Sequence, residues 1–302
     1  MMKWKKLGQI YTVANKNPYL LTHASNPIAI HLVDDDFRVF FSARNKENKS
    51  SVSFIDIDLV SRKIKYIYQK PLLVFGKENS FYSHGISIGN MYKGNDNNNY
   101  ILFMGWQFPK DDHWKGEVGR ILVTKNQKME LLPKTTFMAI DKEDKISLSY
   151  PFVIFHDGIY KMWYGSTIDW ASENGEMIHV IKYATSIDGE NWIKWGVAIP
   201  FEIGIAQAFS RPSVIIDENG YHMWYSYRSG TGKKYRIGYS YSRDGIDWKN
   251  DLNTIGIDVS NSGWDSEMIC YPYVFDWKGD RYMLYNGNNY GKLGFGMAIL
   301  EK

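Results

Sequence analysis

Cysteine is nearly absent. Cys270 is the only one in 302 residues, so no disulfide can form within the chain. A single thiol suits a reducing compartment, and the cytoplasm is the expected location. Nothing around Cys270 marks a thiolate, so a small buried hydrophobe is expected there rather than a nucleophile. An excess of one charge is missing too: 36 basic residues stand against 33 acidic ones, a net charge of +3. The basic residues are scattered, so no nucleic-acid partner is expected. No stretch approaches ~18 consecutive apolar residues, which argues against membrane insertion. The basic start Met2-Lys3-Trp4-Lys5-Lys6 is not followed by the apolar core of a secretory signal. Walker-type phosphate loops, strand–GxGxxG–helix units and HExxH do not occur, and Gly85-Ile86-Ser87-Ile88-Gly89, which matches GxSxG as a string, reads as the start of a repeat strand and not as a strand-to-helix elbow. Compact metal-ligand spacing is lacking as well, so neither a metal nor a cofactor is expected.

Aromatic residues, by contrast, are abundant: 22 Tyr, 15 Phe and 11 Trp make up 16% of the chain. Such side chains favour strands and offer flat faces to sugar rings. They fall into five repeats, each a Pro or Gly, an apolar strand, a turn and a second aromatic strand. Pro27, Gly85, Pro151, Pro212 and Pro272 mark them, at spacings of 58, 66, 61 and 60. The tract Asn95-Asp96-Asn97-Asn98-Asn99 lengthens one hairpin tip within the longest spacing. Each repeat has room for four strands, with turns such as Asp157-Gly158 and Asp188-Gly189 between them. Radially repeated four-stranded units predict an all-β, five-bladed β-propeller with few helices. The fifth repeat supplies only three strands, whereas Lys6–Val13 lies before the first repeat without a partner. That segment is expected to complete the last blade and close the ring, making residues 1–302 one domain.

Propeller topology also says which residues meet. Starts of first strands and ends of second strands share one end of the molecule, whereas the opposite rim is built from plain turns. The shared end receives His23, Asn26, His84, Tyr150, Arg211 and Tyr271 from strand starts. Strand ends add Arg44, Trp106, Trp170, Arg228 and Asn286. Trp and Tyr can stack on sugar rings while Arg, Asn and His hydrogen-bond hydroxyls, so a carbohydrate or sugar-containing ligand is expected. His23 and His84 suit hydrogen bonding better than metal binding. Arg44, Arg211 and Arg228 exceed the needs of neutral hydroxyls and suit an acidic or phosphorylated sugar, unless they pair with acidic neighbours between blades. For acid–base chemistry Glu267 is the first candidate. Asp265 and Asp169 are the candidate second carboxylates.

The turns Ser186-Ile187-Asp188-Gly189-Glu190-Asn191-Trp192 and Ser242-Arg243-Asp244-Gly245-Ile246-Asp247-Trp248 extend the pattern. With the five-repeat layout, they resemble the five-bladed propeller glycoside hydrolases, among them family 43 and the invertase-like enzymes. More narrowly, His23-Ala24-Ser25-Asn26-Pro27, Trp264-Asp265-Ser266-Glu267-Met268 and Tyr285-Asn286-Gly287-Asn288 resemble a bacterial group of such propellers found with surface-polysaccharide genes. The resemblance implies a glycosidase-like protein acting on a surface glycan or its precursor. The family places Asp, Asp and Glu at the starts of blades one to three, where this chain has Asn26, His84 and Tyr150. Asn is no general base, and a Tyr of ordinary pKa near ~10 is a poor acid. A non-catalytic glycan-binding propeller and a sugar-modifying or transfer enzyme are the alternatives.

Overall fold

Short apolar runs separated by Asp-Gly and Asn-Gly turns put almost all regular structure into strands. The computed structural model describes residues 2–302 apart from 15, 111, 125–127, 133–135 and 231–232. Strand β1 (Trp4–Tyr11) comes first. Unit one holds β2 (Thr22–Val33), β3 (Asp36–Arg44), β4 (Ser50–Asp58) and β5 (Ile64–Ile67). Unit two holds β6 (Gly85–Lys93), β7 (Asn99–Gln107), β8 (Lys115–Val123) and β9 (Met129–Leu132). Unit three holds β10 (Ser147–His156), β11 (Ile159–Asp169), β12 (Ile178–Ser186) and β13 (Ile193–Val197). Unit four holds β14 (Ala208–Asp217), β15 (Gly220–Arg228), β16 (Arg236–Ser242) and β17 (Lys249–Asn250). Unit five holds β18 (Cys270–Trp277), β19 (Asp280–Asn286) and β20 (Phe295–Leu300), with the short helical turn α1 (Asn288–Gly291) between the last two.

Within every unit consecutive strands pair antiparallel. The first strands also pack side by side: β2 on β6, β6 on β10, β10 on β14, β14 on β18 and β18 on β2. The N-terminal β1 runs antiparallel to β20, from Trp4 opposite Leu300 to Tyr11 opposite Phe295. This is an all-β, propeller-like architecture. Apolar clusters fill the spaces between neighbouring units, as where Trp163 of unit three meets Trp248 of unit four at 5.9 Å.

The turns follow from their residues. Asp157 and Gly158 both take positive φ, 54° and 75°, the geometry of a two-residue hairpin matched to strand twist. In the Ser-x-Asp-Gly-x-x-Trp turn, Asp188 Oδ1 accepts from Ser186 Oγ and from the amides of Glu190 and Asn191, each at 2.8 Å. Those bonds hold its carboxyl below the ordinary range, the backbone and side-chain donors of Asn191 first among them. Asp244 repeats the arrangement one unit later.

The repeat register needs one correction. Parallel bridges Ser50 to Gly85 and His179 to Ala208 put Gly85 and Ala208 in like places, so Gly89, not Gly85, stands where Pro212 does. The marker positions become 27, 89, 151, 212 and 272, spaced 62, 62, 61 and 60. A glycine is needed there because any Cβ on Gly89 would lie 2.3 Å from the Pro151 carbonyl oxygen. The recurring tripeptides are thus Ser25-Asn26-Pro27, Ser87-Ile88-Gly89, Ser149-Tyr150-Pro151, Ser210-Arg211-Pro212 and Cys270-Tyr271-Pro272. In the four with proline the middle residue bulges out of the ladder at positive φ: Asn26 56°, Tyr150 36°, Arg211 52° and Tyr271 56°. A residue before proline is normally extended, so the bulge is a locally costly conformation imposed by the packing of the inner strands.

Candidate functional site

Every unit sends residues to one cavity of about 500 Å³. Unit one gives Arg44, Glu47 and Asn48; unit two gives His84, Ser87, Met104, Trp106, Phe108 and Trp114. Ser149, Tyr150, Met177 and His179 come from unit three, Ser210, Arg228 and Tyr235 from unit four, Tyr271 and Tyr290 from unit five. All sit where first strands start, second strands end or third strands begin.

Six of the expected residues therefore meet there: Arg44, His84, Trp106, Tyr150, Arg228 and Tyr271. His84 does so just ahead of β6, although the register correction gives Ile88 its expected place in the repeat. The other candidates lie outside the lining. Asn286 accepts from the Asn26 amide at 2.8 Å and donates to the carbonyls of Ala24 and Gly294, latching unit one to unit five. Arg211 donates to the Pro27 carbonyl at 2.9 Å across the inner strands; burial draws its pKa down to about 10, which leaves it charged at neutrality. His23 is buried beside Thr22, and burial, then Arg44 and Lys292, lower it to about 3.

The three carboxylates also stand apart from the cavity. Asp265 is buried, accepts from Lys6 Nζ at 2.8 Å and from the Tyr285 hydroxyl at 3.0 Å, and so braces β1 against unit five. Glu267 has an exposed side chain, while its amide is held by Asn288 Oδ1 at 2.9 Å. Asp169 is exposed and accepts from the Ala171 amide within its own loop. Its neighbour Trp170 stacks on His113 at 4.6 Å and meets Trp114 edge-on at 4.9 Å, one ring removed from the cavity. Among the described residues the lining contains one carboxylate, Glu47, 3.4 Å from Lys49 Nζ. Cys270 is buried, and burial pushes its thiol well up, as suits a packing role.

Two groups of lining residues differ in chemistry. In one, Tyr150 and Tyr271 lie 5.5 Å apart, with Tyr235 and Tyr290 6.1 Å apart beside them. Arg228 lies over the Tyr235 ring at 5.0 Å and is neutralised by buried Glu176, 2.8 Å away. A second group of lining residues holds Arg44, which donates to Asn48 Oδ1 at 2.9 Å and lies 5.9 Å from the Trp106 ring. Among the described residues Arg44 has no ion-pair partner, so its charge is left for whatever enters. His84 sits beside Trp106 and is lowered by burial and then by Lys49.

Elsewhere in the lining, Ser149 Oγ and His179 Nε2 are 2.6 Å apart, and His179 Nδ1 is 2.8 Å from Thr167 Oγ1. Burial, then Arg228, lowers His179 to about 3, so the imidazole is uncharged at neutral pH. Sequence reading missed His179, Tyr235 and Trp114 because it did not map the starts of third strands onto this face. It missed Ser149 because the register misplaced in unit two hid the recurring serine.

No protein-family model matches the chain. Two curated relatives, from Mycobacterium tuberculosis strains H37Rv and CDC 1551 / Oshkosh, are each 39% identical over 99% of this chain and 100% of their own, and both are described as uncharacterized proteins. Among solved structures, one titled "Glycoside hydrolase" superposes with a TM-score of 0.74 at 15% identity, covering 99% of this chain and 92% of its own. A GH130-family structure, whose title names glycoside hydrolases that target β-1,2 mannosidic linkages in Candida mannan, gives 0.70 at 12% identity over 99% and 93%. The Bombyx mori GH32 β-fructofuranosidase gives 0.66 at 12% identity over 92% of this chain and 61% of its own.

Proposed function

The chain belongs to the family of the two mycobacterial proteins and has the propeller-like fold of glycoside hydrolases, and from that premise we propose a carbohydrate-active protein that holds an anionic sugar in the cavity. The five strand units are the blades of one domain spanning residues 1–302, closed by β1 in the last blade; the pairing of β1 with β20 and the packing of β18 on β2 support this. One observation carries the ligand reading: Arg44, which has no ion-pair partner among the described residues, lines the same cavity as the tyrosines Tyr150, Tyr235, Tyr271 and Tyr290. The sugar ring would lie on the tyrosines, and its carboxylate or phosphate would meet the fork of Arg44. Arg228, already paired with Glu176, has less charge to offer, and Arg211 is engaged below. The ligand class in keeping with the resemblance is a bacterial surface glycan or its precursor.

Hydrolysis by two carboxylates needs both within ~5–9.5 Å of each other across the scissile bond. With Glu47 as the one carboxylate among the described lining residues, the cavity favours binding, or modification of a substituent, over that mechanism. Calorimetry with matched charged and neutral glycans tests the reading. Arg44→Gln should cost the charged ligand about 1.5–3 kcal/mol, the range for hydrogen bonds to charged groups, and the neutral one much less. Equal losses for both ligands would remove the anionic sugar from the reading.

A further inference from the structure

We propose that Ser149 and His179 form a nucleophile–base pair in the cavity and that the chain removes an ester-linked acyl group from a sugar held there. The sugar part of this rests on the reading above. A hydroxyl nucleophile is recognised by a base within hydrogen-bond reach and a third group that orients the base. Ser149, His179 and Thr167 meet that description at 2.6 and 2.8 Å.

The surroundings are built for the pair. A Cβ on Gly165 would stand 2.1 Å from Ser149 Oγ and 2.5 Å from His179 Nε2, so glycine on the facing strand makes the room they occupy. The like-placed residues elsewhere are not so equipped. Ser25 donates to the Tyr290 carbonyl, and Cys270 lies against the Met268 sulfur. Among the described residues only the unit-three serine of the five repeats meets an imidazole nitrogen.

With the imidazole proton on Nδ1 and given to Thr167 Oγ1, Nε2 accepts from the Ser149 hydroxyl. Ser149 Oγ bonds to the ester carbonyl carbon as its proton passes to Nε2. The bond from that carbon to the sugar oxygen then breaks, and the oxygen leaves as a hydroxyl carrying the proton from Nε2. Water, deprotonated by the same nitrogen, attacks the acyl-serine. A carboxylic acid is released and the proton returns to Ser149.

The full chain treated with an alkyl fluorophosphonate should gain one phosphonyl group, mapped by peptide mass spectrometry to Ser149. The same protein should release acetate from an O-acetylated acidic sugar. Ser149→Ala should abolish both, and His179→Gln should slow labelling by about 10²–10⁴-fold, the usual contribution of general base catalysis. Labelling of the parent protein is decisive even where His179→Gln fails to fold. A folded parent left unlabelled at Ser149 overturns the nucleophile, whatever calorimetry shows for sugar binding. A labelled Ser149 with parental acetate release in Ser149→Ala overturns the esterase step.

Discussion

Deletion of residues 1–13 should leave a chain that is insoluble or lacks a cooperative melting transition. Strand β1 supplies the backbone partners of β20 along its length. It also places Trp4 edge-on against Trp224 at 5.9 Å and Tyr11 against Phe41 at 5.2 Å, both side chains being almost fully buried. Each such aromatic contributes about 1.5–3 kcal/mol on burial. Removing Lys6 would also strip buried Asp265 of its ammonium partner, and an orphaned buried charge costs about 3–5 kcal/mol. Those losses together approach the whole stability of an ordinary domain, about 5–15 kcal/mol. Differential scanning calorimetry and soluble yield measure the effect; a truncated chain melting at the parental temperature would count against closure by β1.

The second large effect is expected at Asp144, where Asp144→Ala should cost about 3–5 kcal/mol in chemical denaturation at neutral pH. This buried carboxylate accepts from Lys194 at 2.6 Å, Lys182 at 2.8 Å, Ser166 at 2.6 Å and Tyr164 at 3.0 Å, drawing together β11, β12 and β13. Its removal leaves two largely buried ammonium groups short of their acceptor. Burial pushes the Asp144 carboxyl up, but hydrogen bonds from Lys182, Lys194 and Ser166 outweigh it and hold the group below its ordinary value. A carboxyl depressed in the folded state contributes stability above its unfolded pKa, near ~3.9, and loses it as pH falls through the lower folded value. The parent should therefore lose stability on acidification below about pH 4, where its carboxyl begins to protonate in the unfolded chain. Asp144→Asn should flatten that part of the stability–pH curve. An unchanged acid limb in Asp144→Asn would mean that another carboxylate governs it.

Local patterning carried much of the architecture. Aromatic strands, Asp-Gly turns and a period near sixty residues are local properties of the chain, and local sterics and hydrogen bonding act on them directly. Asp188 gathers its turn through bonds within five residues of one another. The pairing of β1 with β20 was legible for a related reason: three strands in one repeat and one unpaired strand elsewhere leave few ways to satisfy an edge. The end of the molecule that bears the cavity was legible as well, because strand direction alternates.

Membership of the cavity was legible only in part. Arg44, Arg211 and Arg228 look alike along the chain, yet one lines the cavity with no ion-pair partner among the described residues, one is bonded to Pro27 outside it and one is paired with Glu176. Which case holds depends on partners 184 and 52 residues away for Arg211 and Arg228, and no local rule reaches that far. Glu267 and Asp265 are two positions apart, but Asn288 turns the backbone of one outward while Lys6 buries the charge of the other. Ser149 and His179 lie 30 residues apart, and their meeting requires both the register of β10, β11 and β12 and the missing side chain at Gly165. Chain-local chemistry thus decided strands, turns and which end is open; charge pairing across units and the fit of inner strands decided which side chains face the cavity.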